Sequence, residues 1–157
     1  MIKIIFGGII AKSAQFPMHV WLIDAMQAPT PVSAFIHSAT MVAAGVFLSV
    51  RLLPLFQLSE MFLQIMIYIG LVTAFFCAFF AIAQNNIKKM LAYSTSSQLG
   101  IMIASIGVLA PASAMFYFVS HAFSKALLFL IAGILIKYIS AVGARVIHPP
   151  RYGIYPS

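Results

Sequence analysis

Four side chains, Ser113, Tyr117, His121 and Lys125, recur at intervals of four in an otherwise apolar part of the sequence. At the helical period they stack along one stripe of a rod. The stripe is a file of groups that can give, take or pass a proton. Lys125 lies about thirteen residues into a predicted helix, near mid-membrane at about 1.5 Å per residue and too deep to snorkel easily. An ammonium there costs several kcal/mol unless a carboxylate compensates it or the side chain sheds its proton and becomes a carrier. A lysine that only fastens a bundle through a neighbouring acid is the plainer account. The histidine one turn away shifts the weight to proton transfer.

Two more residues belong to the same chemistry. Lys12 stands between Ala11 and Ser13, just ahead of Pro17. It is either a second buried carrier or a short helix end facing water, and the residues leave both open. His37 has Ser33 one turn before it and Thr40 nearly one turn after it, which predicts another polar stripe. A lone histidine is usually a satisfied core residue. Its hydroxyl neighbours and an imidazole's titration near neutral pH favour proton exchange here.

Other chemistries fit poorly. His19, Asp24, His37 and His121 include no pair with the close ligand spacing of a zinc site. There is no glycine-rich phosphate loop and no nucleophile elbow. Cys77 is a single cysteine, so an internal disulfide and an iron–sulfur ligand set are both excluded; a small lipid- or core-facing residue is expected. Nine basic residues face two acids, for a net charge of +7, but they are scattered singly or as one pair. No patch exists to track phosphates, so nucleic acid is not an expected partner. Asp24 and Glu60 are the two acids, and a buried lysine here therefore calls for a carboxylate from another chain. That predicts a partner subunit.

The elements that must position these groups follow from composition. Of 157 residues, 63% are hydrophobic and 7% charged, with a mean hydropathy of +1.07. About 25% charged is usual for soluble domains, so an integral membrane protein is expected. Strand alternation is absent, which leaves helices. The reading is an all-α, polytopic membrane helix bundle of about five spans, the first of them broken, over residues 1–142. Helices 1–16 and 18–27 flank the break at Pro17. Such a break survives at membrane depth only where neighbouring protein or a wet cavity satisfies the freed backbone groups. The early Lys3 and short apolar run superficially suggest a signal peptide, but no small-residue cleavage site precedes Lys12.

Thr30 and Pro31 form an N-cap and a first-turn proline, launching a predicted helix 31–53 that Pro54 ends. Its residues Ala34, Ser38, Ala43, Ala44 and Gly45 suit close packing. Helix 60–83 is the most lipid-like, with Gln64 and Thr73 as its notable polar interior residues, and is given a packing role. Helix 87–109 carries the polar run from Tyr93 to Gln98, which covers every face, so some of it must meet protein or water. Helix 112–140 begins after Pro111, and residues 143–157 read as an extramembrane tail. Arg51, Lys88 and Lys89 sit where spans should end.

The motif KSAQFPMHVWLIDAM, followed by PTPVSAFIHSATMVAAGVFL, closely resembles the antiporter-like, proton-pumping chain 5 of NADH:ubiquinone oxidoreductase, respiratory complex I. Further on, NNIKKMLAYSTSSQLG is similar to that family's DIKRVLAYSTMSQLG, and SHAFSKALLFLIAG to its THAFFKALLFLGAG. The resemblance covers residues 7 to about 137; chains 4 and 2 are less similar around the tryptophan motif, and Mrp-type sodium/proton antiporter subunits share the motifs. It implies that Lys12 is the broken-helix lysine of a proton channel, His37 the histidine of the next helix and Lys125 the central lysine joining two half-channels, with His121 beside it. Tyr117, Ser33 and Thr40 would support this relay.

It further implies helices seven to eleven of a longer chain, with the acid that pairs with Lys12 on an earlier helix. Partners would be the other membrane-arm subunits, including fragments of a split subunit that supply the missing helices, and the lipid bilayer. FMN, iron–sulfur clusters and quinone are expected elsewhere in the complex, with no cofactor on this chain. The Phe- and Met-rich composition is compatible with the mitochondrial inner membrane. The expected function is a Lys/His relay coupling quinone reduction to proton pumping; a structural scaffold piece, or an Mrp-type antiporter subunit, is the alternative. Three departures stand out: Tyr117 replaces a histidine, Asn86 an aspartate and Ser124 a phenylalanine.

Overall fold

The computed structural model describes the backbone of residues 2–27, 29–38 and 40–147. Within them the chain forms α1 (Ile2–Lys12), α2 (Val20–Asp24) running into a 3-10 turn (Ala25–Gln27), α3 (Thr30–Ser38), α4 (Ala43–Arg51), α5 (Leu53–Phe56), α6 (Glu60–Ile82), α7 (Ile87–Gly107) and α8 (Pro111–Ile147). No strand occurs among the described residues. The fold is an all-α membrane helix bundle. Three stretches, Thr30–Arg51, Glu60–Ile82 and Pro111–Val142, are long and apolar enough to cross a bilayer. Helix α7 has 21 residues but carries the polar run from Tyr93 to Gln98, and α1, with 11, is too short to span alone.

The first break is built differently from the sequence reading. Helix α1 stops at Lys12, well ahead of Pro17. Gln15 N–H donates to the Ile10 carbonyl at 3.0 Å and Ala14 N–H to that of Ala11 at 3.3 Å, with Ala14 at φ 49°. That is a Schellman stop, with alanine in the left-handed position where glycine is usual. Three side chains then pin the connection. Trp21 Nε1–H donates to the Ala11 carbonyl at 3.0 Å. The Ser96 hydroxyl donates to the Ala14 carbonyl at 2.5 Å. Phe16 N–H donates to Thr73 Oγ1 at 3.0 Å. Neighbouring helices satisfy the break, as a lipid environment demands. Thr73 thus anchors the break as well as packing.

The predicted single helix 31–53 is divided into α3 and α4, with α5 starting at its last residue. Ser38 Oγ and Thr40 Oγ1 both donate to the Phe35 carbonyl, at 3.4 and 2.7 Å. Hydroxyls that take a helix carbonyl compete with the backbone for it, and α3 ends at Ser38. Pro54 does not terminate a helix; it sits in the first turn of α5, where a missing N–H leaves nothing unpaired. Phe56 is buried there and meets Phe6 of α1 edge to face at 6.0 Å.

Helices α6 and α7 form the tightest pair. A Cβ on Gly70 would lie 2.5 Å from the Gly100 carbonyl oxygen, and one on Gly100 would lie 2.6 Å from that of Gly70. The two backbones touch because neither residue has a side chain. Asn86, where an aspartate was the expected pattern, still caps α7 by accepting from Lys88 N–H at 3.0 Å. Helix α7 ends on a second Schellman stop, with Leu109 at φ 62° and Ala110 N–H bonded to the Ser105 carbonyl at 3.0 Å. Pro111 then opens α8. Residues 143–147, read from the sequence as tail, continue α8; residues 148–157 lie outside the described residues.

Candidate functional site

Helices α7 and α8 run side by side, so residues one turn apart on each face one another in register. Lys125 Nζ donates to Ser94 Oγ at 2.6 Å, and the Ser94 hydroxyl donates onward to the Leu91 carbonyl at 2.9 Å. One turn along, His121 Nδ1 lies 3.2 Å from Gln98 Oε1. Lys125 is 4% exposed and His121 2%.

His37 comes in from α3. Its imidazole is fully buried and lies 5.0 Å from the Phe129 ring of α8. A Cβ on Gly133 would lie 2.6 Å from Thr30 Oγ1, so the missing side chain lets the start of α3 settle on α8. This close approach brings His37 near enough to His121 and Lys125 for electrostatic interaction. His121 also approaches the His37 main chain, which places the carbonyl end of α3 against the cluster. Both ring nitrogens of His37, and Nε2 of His121, are buried without a hydrogen-bond partner in the protein.

Three of the sequence-predicted residues, His37, His121 and Lys125, are therefore one cluster. Neither Lys12 nor Lys125 forms an ion pair among the described residues; the Lys125 partner is a neutral hydroxyl. Lys12 is exposed at the end of α1, in a groove of about 420 Å³ lined by Ile5, Gly8, Ile9, Ala44, Gly45 and Leu48. The supporting residues divide. Ser33 is buried on the same face of α3 as His37. Thr40 lies beyond the end of α3 and turns back to Phe35, so it does not continue the His37 stripe. Tyr117 is half-buried against the apolar core, while Ser113 is exposed. His19 stacks on Phe16 at 5.6 Å, apart from the cluster. Among the described residues no three of His, Cys, Asp and Glu are grouped to hold a metal ion.

Sequence reasoning did not single out Ser94 or Gln98. Both sat inside a polar run too dense to sort by period. Their signal was the shared spacing: Ser94 and Gln98 are four apart, as are His121 and Lys125. The rest of the run is structural. Ser96 holds the α1–α2 connection, and Ser97 donates to the Ala74 carbonyl of α6 at 2.9 Å. Cys77 is buried and faces the core beside Ser96.

Residues 1–145 match the family described as NADH:quinone oxidoreductase/Mrp antiporter, TM. The chain belongs to this family.

Among curated proteins, the chloroplastic NAD(P)H-quinone oxidoreductase subunit 5 of Pelargonium hortorum is 54% identical over 138 residues, covering 88% of this chain and 18% of the relative. That of Helianthus annuus is 56% identical over 130 residues, covering 83% of this chain and 18% of the relative. A subunit in the solved structure of the Mrp complex from Dietzia sp. DQ12-45-1b superposes with a TM-score of 0.81 at 41% identity, over 83% of this chain and 15% of that one. The chain thus spans about 18% of the length of the curated relatives it matches. It is similar both to NAD(P)H-quinone oxidoreductase subunit 5 and to a chain of the Mrp complex.

Proposed function

We propose that this chain carries the buried proton relay of a subunit-5-type membrane protein in a proton-translocating NAD(P)H:quinone oxidoreductase. The observation that carries the proposal is the burial of His37, His121 and Lys125 together, with neutral partners from α7 on His121 and Lys125 and no carboxylate on either. A lysine tied to a fixed acid keeps its proton. One tied to a hydroxyl can release it, because no ion pair is broken.

In this reading the proton rests on Lys125 Nζ, steadied by Ser94, and exchanges with the imidazoles of His121 and His37. Lys12, on the far side of the α1–α2 break, changes its hold on a proton as an acid from a neighbouring helix approaches or withdraws. The proton then passes through His37 and bound water toward Lys125. Tyr117 and Ser33 flank the path. In this reading the electron transfer that drives it is supplied by other subunits of the complex. The mitochondrial inner membrane is one location consistent with this role, and the chloroplastic relatives carry the same subunit in another organelle.

Replacing Lys125 with Met in the assembled complex is expected to abolish most proton pumping per NAD(P)H oxidised while assembly is kept. Unchanged pumping would leave the chain a scaffold. The likeness to the Mrp complex supports a second reading, a sodium/proton antiporter subunit. Proton transfer that requires sodium and not quinone reduction would favour that reading over ours.

A further inference from the structure

The two ring nitrogens of His121 have unlike surroundings. Nδ1 lies 3.2 Å from Gln98 Oε1, whereas Nε2 is buried, with no hydrogen-bond partner. A neutral imidazole has one N–H, and where it sits decides which nitrogen can accept a proton. With hydrogen on Nδ1 the bond to Gln98 Oε1 is made and the Nε2 lone pair is free. The rival tautomer would leave a buried Nε2–H with no acceptor and would turn the Gln98 amide nitrogen to Nδ1. Once His121 is cationic, both nitrogens carry hydrogen and only Oε1 can accept from Nδ1. The Oε1-facing amide therefore serves both charge states without turning. A carbonyl oxygen is also the end of the amide dipole that a site near Lys125 favours.

We propose that Gln98 is a positioning residue that fixes His121 in its Nδ1–H tautomer, so that the proton is exchanged at Nε2 alone. The proposal rests on the relay reading above and deepens it. Ser94 acts in parallel on the other partner. Its hydrogen is committed to the Leu91 carbonyl, so toward Lys125 it offers only lone pairs. Helix α7 thereby presents two acceptors one turn apart to the two proton carriers of α8, and orients both without taking a proton itself.

The groups that face His121 from each packed element are few. From α3 comes His37, from α8 itself Lys125, with Tyr117 one turn the other way along the helix, and from α7 the uncharged Gln98, with Ser94 one turn along on Lys125. Helix α4 has one charged residue, Arg51, which is exposed and lies 5.5 Å from the Phe47 ring. A carboxylate introduced at Gln98 is therefore the one acid beside His121 within this chain.

The test uses the assembled complex carrying Gln98→Leu, Gln98→Glu or Lys125→Met, with proton pumping and NAD(P)H oxidation followed against pH. Gln98→Leu is expected to lower pumping about tenfold, the scale of one lost hydrogen bond to a charged group. Gln98→Glu keeps the acceptor and adds a charge beside His121 rather than beside Lys125, so it is expected to retain more pumping than Gln98→Leu, with its profile moved about one pH unit to the alkaline side. Wild-type pumping and profile in Gln98→Leu would overturn the proposal. So would equal losses in the Leu and Glu variants with an unmoved profile, since that is what a packing role gives. If Gln98→Leu does not assemble, the Gln98→Glu profile decides, an alkaline shift supporting the proposal and an unmoved profile overturning it. Lys125→Met separates the two levels: pumping kept there refutes the relay itself, and pumping lost there with silent Gln98 variants refutes only the tautomer.

Discussion

A lysine buried at 4% exposure against a serine hydroxyl is an expensive arrangement for a charged group. Had stability been the only demand, a carboxylate at the Ser94 position would have offset the burial far better. That contrast gives a direct test. Ser94→Asp puts an acid where the hydroxyl now accepts from Nζ, and in a low-dielectric site such a pair holds its proton firmly. The variant complex is expected to assemble and to lose proton pumping, measured as proton release per NAD(P)H. A Lys125 that only fastens helices would tolerate the change, and pumping would survive it. The sequence showed the lysine and both histidines because a charge in an apolar run stands out. It hid Ser94 and Gln98 because five of the six residues in that run, these two included, are Ser, Thr or Gln, and only the fold says which face α8.

At the scale of elements, the α6–α7 contact fixes where the α7 acceptors stand. The Gly70–Gly100 approach leaves no room for a methyl group, and a Cβ on Gly107 would likewise meet Leu63 O at 2.9 Å. Gly100→Val is expected to force α6 from α7, tilt Ser94 and Gln98 away from α8, and reduce assembled complex on native gels. Gly7→Val serves as the control, since nothing lies within 4 Å of a Cβ there. Equal assembly of the two variants would show that the close approach is dispensable. Helix α6 was legible because 23 residues of apolar sequence have few other solutions in lipid. The stops were not. Ala14 and Leu109 take left-handed conformations without being glycine, so the usual C-terminal signal was missing, and the prolines drew the predicted boundaries toward themselves. The end of α3 rests on Ser38 and Thr40 hydroxyls, which composition alone reads as ordinary helix interior.

At the scale of the whole molecule, charge and surface both point outward. Nine basic residues face two acids, and neither Asp24 nor Glu60 pairs with Lys12 or Lys125. Much of α6 is apolar and open, with Phe75 70% and Phe79 63% exposed, as a lipid- or subunit-facing helix requires. Lys12 sits in an apolar groove between α1 and α4, a setting that water does not reward and that an acid on a neighbouring helix would complete. The sequence left open whether Lys12 is a buried carrier or a helix end in water, and exposure within this chain alone does not decide between them. Labelling of the assembled complex does. With a water-soluble amine-acylating reagent and peptide mass spectrometry, Lys89, exposed at the head of α7, provides the reference reactivity. Lys12 is expected to stay unmodified at reagent levels that acylate Lys89. Equal reactivity would put Lys12 in bulk water, remove it from the relay and confine proton exchange in this chain to the α3–α8 cluster.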